Sequence, residues 1–96
     1  MTTFNIVRFR IKPGMDHEFL EAHGSGKAAW PGLKTGVIVK TGDNAYCLIG
    51  EWSDAEALVS ARPRMIATLD TFRRVLEPTA SGVTDAVSGP VVMTLT

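Results

Sequence analysis

Residues 4–11, FNIVRFRI, alternate along the chain: Val7, Phe9 and Ile11 fall on one side, Ile6, Arg8 and Arg10 on the other. Period two predicts a strand with one apolar face. KPG ends it, because Pro13 removes a ladder donor and Gly14 permits a turn. Over residues 15–29 the pattern changes. Met15, Phe19, Ala22, His23, Gly26 and Trp30 recur at three- and four-residue steps, which predicts a helix with one buried stripe. Gly24 and Gly26 each weaken it by up to about 1 kcal/mol relative to alanine, so a break is expected near them. WPGL reads as a turn, residues 34–40 as a second strand, TGDN as a hairpin turn and residues 45–52 as a third strand. Ser53, with Glu56 three residues on, is read as the capping box of a second helix, which Pro63 interrupts and restarts. Met65, Leu69, Phe72 and Leu76 form its apolar stripe. Residues 78–86 read as a loop of small residues, and 87–95 as a last strand with Pro90 marking an edge or bulge.

The order β-α-β-β-α-β predicts an α+β, ferredoxin-like split βαβ sandwich: a four-stranded antiparallel sheet with two helices on one face. In the simplest hairpin register Val37, Val39, Tyr46 and Leu48 share a face with Val7, Phe9, Ile11, Val91 and Met93, toward the helices. The other face then carries Ile6, Ile38, Cys47, Ile49 and Val92 beside Arg8, Arg10 and Glu51. It is too apolar to leave wet and too polar for a plain core, so a homodimer through this sheet face is expected, with Glu51 a partner for one of the arginines.

Composition narrows the function classes. The 96 residues suit a single domain, 1–96, and ten basic residues balance ten acidic ones. Nothing in that balance attracts nucleic acid or an anionic membrane. Arg62, Arg64, Arg73 and Arg74 cluster, and are read as a solvated helix face. The one cysteine, Cys47, excludes an internal disulfide and a multi-cysteine metal site. MTTFNIVRFR holds no apolar core of signal-peptide length and no run approaches a membrane span, so a reducing cytoplasmic setting is expected. HGSGKAA lacks the glycine five residues before Gly26 that a phosphate loop needs, since Glu21 stands there. His17 and His23 are six apart, off a common zinc-binding helix face.

A strand ending VRFRIKPG, a helix with EFLEAH, the turn WPGL, and a strand ending GEWSDAEAL before a second helix resemble the antibiotic biosynthesis monooxygenase family of the dimeric α/β barrel superfamily. The resemblance spans nearly the whole chain and is specific for fold and dimerisation rather than activity. It implies a barrel of two facing sheets, a pocket between each sheet and its helices, and, in several members, oxygenation without a cofactor. Haem-degrading members carry an asparagine, a tryptophan and a histidine at positions that fall on Val7, Ala61 and near Thr71 here, so haem degradation is disfavoured.

In such a pocket His23 is the candidate general base, because imidazole titrates near neutrality; the alternative is a histidine satisfied by a backbone carbonyl. Tyr46, Trp30 and Trp52 are the candidate substrate-binding residues, able to stack a flat aromatic ligand or equally to form core. Cys47 has no apparent histidine or acid partner and is not read as a nucleophile. The expected function is a cofactor-independent monooxygenase acting on a small aromatic or quinol-like metabolite, with no metal. The alternatives are a non-catalytic ligand-binding or dimerisation module, and an isomerase or cyclase.

Overall fold

The strand β1 (Thr3–Arg10) lies inside the sheet, where its alternating residues meet neighbours on both sides. A computed structural model describes residues 1–24, 30–78 and 84–96. β1 pairs antiparallel with β3 (Ala45–Trp52) on one side and with β4 (Asp85–Pro90) on the other. β2 (Leu33–Gly42) pairs antiparallel with β3, giving the order β2-β3-β1-β4. The helices α1 (Asp16–Gly24) and α2 (Ala55–Phe72) cover one face, and a single 3-10 turn, Arg73–Val75, follows α2. The result is the expected α+β sandwich with an antiparallel sheet. The first helix is described over Asp16–Gly24; the rest of its expected span, Gly26 included, lies outside the described residues.

β2 departs from the expected register. Gly42 faces Ala45, but Lys40 faces Tyr46, so Thr41 is an extra, unpaired residue. One bulged residue exchanges the two faces of everything beyond it. Ile38, expected outside, therefore sits opposite Leu48 and packs on the core, while Val37 and Val39 face outward, opposite Ile49 and Cys47. They remain 46% and 43% exposed. Asn44, at φ 57, supplies the left-handed residue at the tip; asparagine tolerates that conformation better than most side chains.

Three further expectations are corrected. Asp54, not Ser53, caps α2: its Oδ1 accepts the Ala57 N–H at 2.8 Å. Ser53 is still tied to the preceding turn, donating its N–H to Gly32 O at 2.8 Å. Pro63 does not interrupt α2, which runs unbroken for 18 residues. The helix bond that Pro63 lacks would have ended on Val59, which is exposed, so water can satisfy that carbonyl. The last strand begins and ends earlier than expected. Pro90 is already opposite Thr3, and Val91 N–H closes on Thr2 O at 2.8 Å, so β1 offers nothing further to pair. Val91 and Met93 thus lie beyond the strand rather than under the helices, and Val92 is 93% exposed.

The expected pairing of Arg8 or Arg10 with Glu51 is absent among the described residues. Glu51 sits opposite Phe4, whereas Arg8 faces Cys47 and Asp85, and Arg10 faces Ala45. Among the described residues neither arginine makes an ion pair.

Candidate functional site

The buried core divides in two. Phe9, Ile11, Phe19, Tyr46, Phe72, Val75 and Leu76 form one cluster, and Trp52, Leu58 and Ala61 the other. A cavity of about 810 Å³ lies between sheet and helices and touches both clusters, through Phe9 and Phe72 on one side and Trp52 and Leu58 on the other. This is within the range that takes small organic ligands. Its walls are mainly apolar. The polar residues lining it include Asn5, His23, Arg62, Thr68 and Ser88.

His23 reaches this cavity from the last turn of α1, and the ring sits 4.6 Å from that of Phe72 and 4.9 Å from that of Phe19, centroid to centroid. Its Nδ1 is 2.9 Å from Phe19 O. A carbonyl only accepts, so Nδ1 carries the proton and Nε2 of the neutral ring holds the free lone pair. His23 is thus held by a backbone carbonyl, and it also lines the cavity.

Trp30 and Trp52 come together with ring centroids 6.2 Å apart, and both line the cavity. Tyr46 stands apart from them. It shares the inner face with Trp52 but is buried beside Phe19, with ring centroids 5.2 Å apart, and is not among the lining residues. Its hydroxyl donates to Asp16 Oδ2 at 2.6 Å, tying β3 to the first turn of α1. That bond, then burial, then the Asp16 charge hold the phenol above its ordinary value of 10.0. Cys47 is half-buried on the outer sheet face, opposite Arg8 and Val39.

Asn5 and Arg62 are among the lining residues to which sequence reasoning gave no site role. Asn5 is a buried polar side chain on the helix-facing side of β1, and its Oδ1 accepts the Trp52 indole N–H at 2.8 Å. Indole only donates, which fixes the amide oxygen at that contact and leaves the NH2 as the donor end. Gly50 makes this bond possible: it lies opposite Asn5, and a Cβ there would collide with Asn5 Oδ1. The signal was legible, since Asn5 shares parity with Val7, Phe9 and Ile11 and is the polar exception among them. Arg62 was grouped with the other helix arginines. Arg73 and Arg74 are indeed surface residues, paired with Asp70 at 2.9 Å and Glu18 at 2.8 Å. Among the described residues no cluster of three or more potential metal ligands occurs, and no helix is long and apolar enough to cross a membrane.

No family profile and no curated protein matches the sequence. Solved structures do match the fold. SnoaB, a cofactor-independent oxygenase from Streptomyces nogalater, superposes as a variant with TM-score 0.78 at 20% identity, over 98% of this chain and 96% of that one. Rv0793 from Mycobacterium tuberculosis matches with TM-score 0.79 at 13% identity over 100% of both chains. A Chloroflexus aurantiacus protein, provisionally described as an antibiotic biosynthesis monooxygenase, matches with TM-score 0.75 at 14% identity over 98% and 96%. The chain thus has the fold of the antibiotic biosynthesis monooxygenases, in agreement with the resemblance carried by its strand and turn motifs.

Proposed function

We propose that this protein is a cofactor-independent monooxygenase of that family, acting on a flat aromatic or quinol-like metabolite held between sheet and helices. The observation that carries this reading is the cavity itself, open beside His23 where a packed core would have left no room for a substrate. The name of SnoaB, a cofactor-independent oxygenase of the same fold, points the same way.

The chemistry asks little of the chain. His23 Nε2 takes a proton from an acidic phenol or its keto tautomer. The resulting anion is electron-rich and passes electrons to molecular oxygen. One oxygen atom bonds to the activated ring carbon and becomes a carbonyl as that CH2 loses both hydrogens; the other leaves as water. The substrate supplies all the electrons. Trp30, backed by the buried Trp52, stacks the ring, the Asn5 NH2 is placed to hydrogen-bond an oxygen, and the apolar walls exclude water. Tyr46 contributes from behind by holding the start of α1, the helix that carries His23.

Oxygen consumption with a panel of anthrones, naphthols and quinols tests the reading. His23→Ala should slow turnover by roughly 10²-fold or more, the usual contribution of a positioned base. No uptake with any member of the panel would sink it. The second reading, ligand binding without turnover, is favoured by one feature: among the described residues no acid orients His23. Thermal stabilisation by a panel member without oxygen uptake would select it.

The same proposal includes a homodimer through the outer sheet face. Ile6, Val37, Val39, Ile49 and Val87 share that face with two cations, Arg8 and Arg10, and two anions, Glu51 and Asp85. A patch that is apolar and balanced in charge suits a second copy of itself. The unpaired thiol of Cys47 suits a reducing cytoplasm.

A further inference from the structure

Among the described residues Arg62 is the one lining residue with a full charge, and no aspartate or glutamate lines the cavity. Among the described residues it also has no hydrogen-bond or ion-pair partner, unlike Arg73 and Arg74. We infer that Arg62 is a carboxylate anchor and that the cavity selects flat aromatic acids over their neutral counterparts. The inference rests on the reading of the cavity as a ligand site, and names the class of ligand it takes.

Three features carry it. Arg62 lies one turn of α2 from Leu58 and one from Met65 and Ile66, all cavity-lining, so the guanidinium stem runs along the same wall. A planar guanidinium presents paired N–H donors in the geometry of a carboxylate. The walls around it, including Trp30, Trp52 and Leu58, are apolar, which strengthens a charge pair formed against them relative to one in open water. An aromatic acid can therefore lay its ring on Trp30, which Trp52 backs, with its carboxylate at Arg62, while a cationic ligand meets a like charge and, among the described residues, no compensating carboxylate. His23, on α1, is left free for the proton transfer proposed above.

The test compares two probes of equal shape, anthracene-2-carboxylate and anthracene-2-carboxamide, titrated against the full chain. Quenching of Trp30 and Trp52, the only tryptophans, reports binding. The acid should bind roughly two- to fivefold more tightly than the amide at low salt, an advantage that added salt erodes because Arg62 is exposed. Arg62→Gln should abolish the preference without weakening the amide. Arg62→Glu should reverse it. Arg64→Gln is the control, since Arg64 lines a separate small cleft with Pro31 and Ser60, and should leave the preference intact. Equal affinity for the two probes, a preference that survives Arg62→Gln, or no binding of either probe overturns the inference. Oxygen uptake is measured separately. A preserved preference without uptake removes the oxygenase reading and leaves the anion anchor standing.

Discussion

At Tyr46 a single hydroxyl joins a strand to a helix, and the direction of its titration gives the bond a pH signature. The Asp16 hydrogen bond, burial and the Asp16 charge all raise the phenol above 10.0. The folded chain therefore holds this proton more tightly than the unfolded chain does. The stabilisation is fully present below about pH 10 and is lost as pH rises through the folded value. Tyr46 is the only tyrosine, so phenolate absorbance titrates it directly: the folded protein should show a midpoint above 10.0, and the unfolded protein the ordinary one. Tyr46→Phe should flatten the alkaline loss of stability. Gly50 sets a second requirement at this scale. Gly50→Ala pushes against Asn5 and should cost roughly 2 kcal/mol or more, seen as a lower midpoint in urea, because it breaks a buried bond and crowds its neighbours. Asn5 was legible as a polar residue on an apolar face. Its partner was not, because the Trp52 contact spans 47 residues of sequence.

Elements were read well where one signal dominated, and less well where two competed. Ser53 and Asp54 are both good caps, and a serine three residues before a glutamate matches the capping box better. Tertiary contact decided otherwise: the Ser53 N–H is taken by Gly32, so the helix starts one residue later. Asp54→Ala should then cost about 1 kcal/mol in chemical unfolding. Ser53→Ala should cost clearly less, and the reverse ranking would contradict the observed cap. β2 is the harder case. Val37, Ile38 and Val39 are apolar in succession, so periodicity cannot tell its inner face from its outer one. The bulge at Thr41 makes that choice, and a bulge has no strong signature in TGDN.

Over the whole molecule the bulge changes which residues form the proposed dimer face, and this gives a paired test. Val39→Lys places a charge on the outer face without touching the core, so it should convert a dimer into a folded monomer of 10.3 kDa by light scattering. Ile38→Lys puts the same charge into the core and should unfold the chain instead. Burying the five apolar residues of that face is worth on the order of 5–10 kcal/mol before association costs, enough for a dimer at micromolar concentration. A native mass equal to one chain would remove the dimer from the proposal. By itself the sequence determined the element order, the antiparallel sandwich, the helix-facing side of β1 and β3 and the placing of His23 on an apolar helix stripe. These follow from local periodicity and turn chemistry, which neighbouring residues report on directly. Only the tertiary structure decided the faces of β2, the separation of Tyr46 from the two tryptophans, the Asn5–Trp52 bond and the position of Arg62 at the cavity. Each of these depends on register or on packing between distant segments, and a one-residue shift in pairing reverses a strand's faces while leaving its composition and local pattern unchanged.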